Sequence, residues 1–155
     1  MVIDMNLGKK EIRLEFDAIS ENEALARVVI AAFLTQLDPT LEELQDVKTA
    51  VSEAVTNAII HAYQEKGGKI VMGAALTDDE LLVSIEDFGV GIENIQRAME
   101  PLFTTSPETE RAGMGFAFME AFMDKLEVES VVGVGTKVCM RKKFYPAKVW
   151  KDSQV

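Results

Sequence analysis

Ser52-Glu-Ala-Val-Thr-Asn57-Ala-Ile-Ile-His61, followed by Leu81-Leu-Val-Ser-Ile-Glu-Asp87-Phe-Gly89-Val-Gly91, is the stretch on which the reading of this chain turns. The first segment has helical periodicity. Val47, Val51, Ala54, Val55, Ala58 and Ala62 recur at spacings of three and four and form an apolar stripe. Asp46, Ala50, Glu53, Asn57 and His61 fall on a line along one edge of that stripe, which puts polar groups at the border of a core. The second segment is β-rich and runs into a Gly-x-Gly turn directly after an acid.

Working outward, Thr40-Leu-Glu-Glu43 is a capping box that opens this helix, and Gly67-Gly68 closes it after about Gln64. Ahead of it, Glu11 to Phe16 alternates as a half-buried strand. Ser20-Glu-Asn-Glu23 is a second capping box, predicting a helix from Glu21 to about Leu37, before Asp38-Pro39. Leu25, Val29, Ala32, Phe33 and Leu37 form its expected core stripe. Downstream, residues 69–76 and 81–87 read as strands joined at Thr77-Asp-Asp-Glu80. A short helix is expected over 92–98, a loop from Pro101 to Ala112, a helix from Met114 to Met123, and a closing hairpin over 125–132 and 136–145. Hairpin-linked strands with helices grouped between them predict an α+β fold. It would be a two-layer sandwich, with a mixed, mostly antiparallel sheet of about five strands and helices on one face. Residues 1–145 form one domain in this reading, and 146–155 a C-terminal tail.

Composition narrows the function classes. The 155 residues, 48% hydrophobic, suit one soluble domain. A net charge of −10 disfavours direct binding to nucleic acid. Cys139 is the only cysteine and His61 the only histidine, so neither a disulfide nor a structural zinc site is expected. No leader or membrane-spanning run is evident, and a cytoplasmic location is the expectation.

Three constellations carry possible chemistry. Glu53 and Asn57 project one turn apart from the same side of a helix. The amide oxygen suits Mg²⁺, and the carboxylate can take a proton from an attacking hydroxyl. Read plainly, they are a surface Glu and a polar Asn. Asp87, entering the turn through Gly89 and Gly91, can accept the exocyclic amine of adenine. Read plainly, it is an ordinary Asp-x-Gly turn. Arg111-Ala-Gly113-Met-Gly115 opens a helix whose amides, with the Arg111 fork, attract phosphate. The ordinary alternative is a packed helix start beside a solvated Arg. His61 reads as a structural, helix-edge residue. No P-loop, protein-kinase signature or Gly-x-Ser-x-Gly elbow is present.

Glu53-x-x-x-Asn57, Asp87-x-Gly89-x-Gly91, Gly113-x-Gly115 and Gly135-Thr136, in that order, resemble the ATPase fold shared by DNA gyrase, Hsp90, histidine kinases and MutL. The phrases at 52–61 and 111–116 are most similar to the anti-sigma F family of spore-forming bacteria, which are protein-serine kinases. The resemblance implies ATP and Mg²⁺ as cofactors. It implies Asn57 as the Mg²⁺ ligand, Glu53 as general base and Asp87 as the adenine reader, with Gly89 and Gly91 shaping the pocket. Thr136 would support the adenine end through Asp87 or a water. Thr104, Thr105 and the segment to Arg111 would form a lid, Arg111 would reach the γ-phosphate, and Gly113 and Gly115 would cradle the phosphates. The implied activity is transcription regulation in sporulation. A homodimer would hold a sigma F-type factor and phosphorylate a serine of an anti-anti-sigma protein. Alternatives are a stress-pathway anti-sigma kinase, a nucleotide-dependent binding module without phosphotransfer, and a stand-alone ATPase.

Arg27 is singled out by its helix face. Ala24, Arg27, Ala31 and Leu34 align opposite the expected core stripe, and a lone Arg on small apolar residues suits a partner contact. The ordinary alternative pairs Arg27 with Glu23 along the helix.

Overall fold

The computed structural model describes residues 10–100 and 115–145. Five strands form one sheet in the order β1-β2-β3-β5-β4, where β1 is Lys10–Asp17, β2 Lys69–Leu76, β3 Glu80–Asp87, β4 Lys125–Val131 and β5 Gly135–Lys143. All four pairings are antiparallel, in keeping with the expected mostly antiparallel sheet. The closing hairpin slots its last strand against β3, leaving β4 and β1 as the edges. At the β2–β3 turn, the Glu80 amide donates to Thr77 Oγ1 at 3.2 Å, and the Thr77 amide to the Glu80 carbonyl at 3.0 Å.

Register explains where the core sits. Leu14, Met72, Ile85, Val138 and Val128 form one row across the sheet, and Ile12, Ala74, Val83, Met140 and Leu126 another. These rows face the helices and supply the core. The next row begins apolar, with Phe16 and Ile70, and then changes to Asp87, Thr136 and Ser130. One end of the inner face is therefore polar over three strands.

Helix α2, Leu41–Asn57, lies over β3 and packs between α1, Glu21–Leu34, and α4, Gly115–Phe122. Its expected stripe is buried throughout: Val47, Val51, Ala54, Val55, Ala58 and Ala62. The Thr40 capping box forms with both bonds, Glu43 N to Thr40 Oγ1 at 3.0 Å and Thr40 N to Glu43 Oε1 at 2.8 Å. Beyond Asn57 the helix does not continue in α form to Gln64. It widens into a π turn over Ala58–Ala62, closed by Tyr63 N donating to Ala58 O at 3.0 Å. The short helix expected over 92–98 is limited to α3, Ile95–Ala98, whose N-cap Asn94 accepts from Arg97 N at 3.0 Å. The Lys142 ammonium donates to the Phe122 carbonyl at 2.8 Å, placing a cation on the C-terminal end of α4.

Helix α1 starts at Glu21 as expected, but the Ser20 capping box does not form. Ser20 is itself in right-handed helical conformation and makes no side-chain cap bond. Its intended partner is engaged elsewhere: the Glu23 carboxylate accepts from Ser52 Oγ, and from Thr56 Oγ1 at 3.3 Å, both on α2. The core stripe of α1 is also rotated from the expected one. Ala26, Ile30, Phe33 and Leu34 are buried, while Leu25 is 41% exposed and Ala32 lies on the solvent side. This segment is apolar around most of its circumference, so periodicity alone does not set its phase. Ile30 and Leu34 are the larger pair that fills the space against α2.

The two capping boxes give a paired test. Thr40→Ala removes the Oγ1 acceptor of the Glu43 amide and is expected to cost about 1 kcal/mol in urea unfolding. Ser20→Ala removes no cap bond and is expected to stay within about 0.5 kcal/mol. Equal losses would contradict the assignment.

Candidate functional site

The polar end of the inner row opens into a cavity of about 670 Å³ between α2, its π turn, the Asp87–Asn94 segment and the start of α4. Asn57, His61, Asp87, Gly91, Gly115 and Thr136 line it, with Ala54, Ala58, Ile85 and Val138 as apolar wall. A concave site that mixes apolar wall with a few placed polar groups is the usual form of a small-molecule site.

Asp87 is 6% exposed at the end of β3. Its Oδ1 accepts two backbone amides, Gly89 N at 3.0 Å and Thr136 N at 3.2 Å. One oxygen is thereby occupied by the frame, and Oδ2 makes no hydrogen bond among the described residues. Burial pushes the carboxyl above its ordinary value, while the two amides pull it back.

The turn after Asp87 is held at almost every amide. Phe88 N donates to Tyr63 Oη at 2.7 Å, Val90 N to Ala62 O at 3.0 Å, and Ile92 N to Ser130 Oγ at 2.7 Å. Tyr63 in turn donates to the Lys69 carbonyl, so its phenol ties α2's end to both β2 and β3. Gly91 has φ +79, and a Cβ there would stand 2.5 Å from Val131 O. Only glycine meets both conditions. Gly89 sits against the π turn, beside the Ala62 carbonyl, outside the cavity lining.

On the opposite wall, a Cβ at Gly115 would lie 2.8 Å from Asn57 Nδ2. Glycine at the start of α4 therefore leaves the space that the Asn57 amide occupies. Glu53, one turn earlier, is 1% exposed and does not line the cavity among the described residues. The sequence had put it at the border of the core; it lies inside. His61 lies in the π turn and lines the cavity, and burial lowers its imidazole from the ordinary value. Thr104, Thr105, Arg111 and Gly113, with the expected lid over 101–112, lie outside the described residues.

Arg27 is half-buried, not on an open face. Its Nε is buried with no hydrogen-bond partner among the described residues. Leu34, expected beside it on the far side, is in the core, whereas Ala24 is exposed. Pairing with Glu23 is not seen, since that carboxylate faces Ser52 and Thr56.

Sequence reasoning missed Tyr63 and Ser130. Both act through hydrogen bonds to backbone made distant in sequence, and neither stands in a motif. The usable signal for Ser130 was its place in the closing hairpin, opposite Gly135-Thr136.

The five-stranded antiparallel sheet with its helices is the fold of the histidine kinase-like ATPase domain. The family model described as histidine kinase-like ATPase domain matches residues 16–142. The anti-sigma F factor of Clostridium acetobutylicum is 57% identical over 136 residues, which is 88% of this chain and 95% of that protein. Two solved structures show the same fold. The RsbU and RsbW domains of a Mycobacterium tuberculosis protein superpose with a TM-score of 0.64 at 22% identity, covering 89% of this chain and 34% of that one. The catalytic domain of the histidine kinase ThkA gives 0.52 at 18% identity, covering 85% and 95%. The chain belongs to the histidine kinase-like ATPase family and, within it, to the anti-sigma F factors.

Asp87→Asn tests the adenine end. With the amide oxygen on the two backbone N–H groups, the NH₂ must face the ligand's own amine. ATP affinity is expected to fall ten- to a hundredfold, roughly 1.5–3 kcal/mol. A raised carboxyl value means that the favourable contribution of Asp87 to stability is full at acid pH and lost as pH rises through its folded value. The difference in thermal midpoint between the ligand-free variant and the parent should therefore move in the variant's favour as pH rises above about 4. Unchanged affinity by calorimetry would remove Asp87 from the ligand site.

Proposed function

We propose that this protein is an ATP- and Mg²⁺-dependent anti-sigma factor and protein-serine kinase, acting as a homodimer in the cytoplasm. It binds a sporulation sigma factor of the F type and phosphorylates a serine of its anti-anti-sigma protein. The observation that carries this reading is the Asp87 carboxylate, fixed through one oxygen and lining the same cavity as Asn57. The family and the names of its relatives supply the partners.

In this reading Asp87 takes the exocyclic amine of adenine, Thr136 supports that end, Gly91 lets the turn close on the ring, and Gly89 shapes the pocket indirectly by letting that turn pack on the π turn. The described residues contain no cluster of three acids, histidines or cysteines that would cage a metal. The donor set fits an ion held by one amide oxygen, Asn57 Oδ1, together with phosphate oxygens. Mg²⁺ bound there would neutralise phosphate charge during transfer. Glu53 takes the proton of the acceptor serine as its oxygen bonds to the γ-phosphorus and the bond to the β-phosphate oxygen breaks, leaving ADP. Arg111 and the Gly113-x-Gly115 amides complete the phosphate end, with Thr104 and Thr105 in the covering segment. Arg27 contacts sigma or the anti-anti-sigma protein through the accessible part of its half-buried side chain.

The absence of Glu53 from the cavity lining favours one second reading, nucleotide-dependent sigma binding without phosphotransfer. Glu53→Gln separates them. Phosphate transfer from radiolabelled ATP to the anti-anti-sigma protein should disappear while ATP binding stays within a fewfold. Transfer at the parental rate would refute the base assignment, and no transfer by the parent would favour the second reading. For Arg27→Glu, sigma binding should weaken at least about thirtyfold, near 2 kcal/mol, with ATP binding intact. Parental sigma binding would refute the contact.

A further inference from the structure

We propose that Ser130 sets the hydrogen-bond polarity of the purine end of the cavity, so that the site takes a 6-amino purine and rejects a 6-oxo purine. The proposal rests on the nucleotide-binding reading above and deepens it. Asp87, Thr136 and Ser130 are cross-strand neighbours in one row of the sheet. Ser130 Oγ has three contacts: Ile92 N at 2.7 Å, Gly135 O at 3.1 Å and Thr136 Oγ1 at 2.7 Å.

A hydroxyl holds one proton and two lone pairs. The Ile92 amide can only donate, so it takes one lone pair. The Gly135 carbonyl can only accept, so its contact is a hydrogen bond only when Ser130 gives it the proton. In the one arrangement that makes all three contacts hydrogen bonds, the second lone pair remains for Thr136, and the Thr136 hydroxyl donates to it. Thr136 has then used its only proton, and its oxygen offers the cavity lone pairs alone. Asp87 Oδ1 is likewise filled by two amides, which leaves Oδ2 as an acceptor.

Two side chains that line the cavity at one end therefore both accept. A carboxylate by itself does not discriminate, because it can serve the amine of adenine or the ring N–H of guanine. Its neighbour decides. An acceptor beside it suits an amine with two N–H groups and repels a 6-oxo oxygen, and a rejected polar group costs more than a missing bond. Ser130 makes no contact with the base in this scheme; it is a positioning residue acting through Thr136.

The test is calorimetric titration of the full chain with ATP and with GTP, alongside a thermal midpoint. The parent should prefer ATP. In Ser130→Ala the Thr136 hydroxyl is free to rotate and donate, and the preference should fall at least about fivefold. Ser130→Thr, which keeps the hydroxyl, should retain it. If the alanine variant shows no cooperative thermal transition, Ser130→Cys, similar in size but a weak hydrogen-bonding group, replaces it with the same expected fall. A merely architectural Ser130 would weaken both nucleotides alike, and an unchanged ATP-to-GTP ratio overturns the proposal. So does a parent without preference. A parent that binds neither nucleotide overturns the nucleotide reading itself, a separate outcome.

Discussion

Two backbone amides converging on one oxygen of Asp87 hold this structure's functional end together. The carboxylate sits at the end of a central strand, where the sheet row that began with Phe16 and Ile70 turns polar. An ionised group buried that deeply is costly unless its lone pairs are used. The amide of Gly89 folds the turn back onto its own strand, and that of Thr136 ties in the neighbouring strand. The same two bonds that make burial tolerable aim the second oxygen away from the frame. The burial and the fixed orientation of the carboxylate are thus consequences of one arrangement, and burial raises the carboxyl above its ordinary value.

The remainder of the site is arranged around that turn. The π turn after Asn57 presents the Ala62 carbonyl, one of the helix's C-terminal acceptors, to Val90 N. Tyr63 follows immediately and holds Phe88 N while bonded to the start of β2. From the other side, the β4–β5 hairpin contributes Ser130 to Ile92 N and Gly133 N to Val90 O at 2.8 Å. The turn is therefore largely preformed, which lowers the ordering cost of binding a flat ligand. On the helix side, Glu23 of α1 is bonded to Ser52 and Thr56, the residues flanking Glu53 and preceding Asn57. The helix that carries Arg27 and the helix that lines the cavity are joined by polar contacts as well as by packing.

Much of the fold was legible because its signals were periodic or local. Alternation in β1 and the β3 run into Asp87 marked strands, and the α2 stripe named every core residue it predicted. The Thr40 box formed because both partners lie within four residues and nothing else competes for them. The Ser20 box has the same local pattern, yet a tertiary partner won: Glu23 reaches α2 hydroxyls about thirty residues away, which no local rule contains. The phase of α1 was lost for a different reason, since Leu25, Val29, Ala32 and Leu34 are all apolar and only packing volume chooses among them. In the site, Asn57, Asp87, Gly91, Gly115 and Thr136 were named by spacing and resemblance and do line one cavity. Ser130 and Tyr63 were not, because their importance lies in which backbone groups they reach once the sheet is assembled.

The central claim is that Asp87 recognises the 6-amino group of a purine nucleotide. A chemical cycle tests it most directly: calorimetric affinities of the parent and Asp87→Ala for ATP and for purine riboside triphosphate, which lacks that amine. The account predicts that removing either partner weakens binding to the parental pair at least about tenfold, and that removing the second then adds little, because both deletions break one bond. Equal affinity of the parent for both ligands, or losses that simply add, would contradict it.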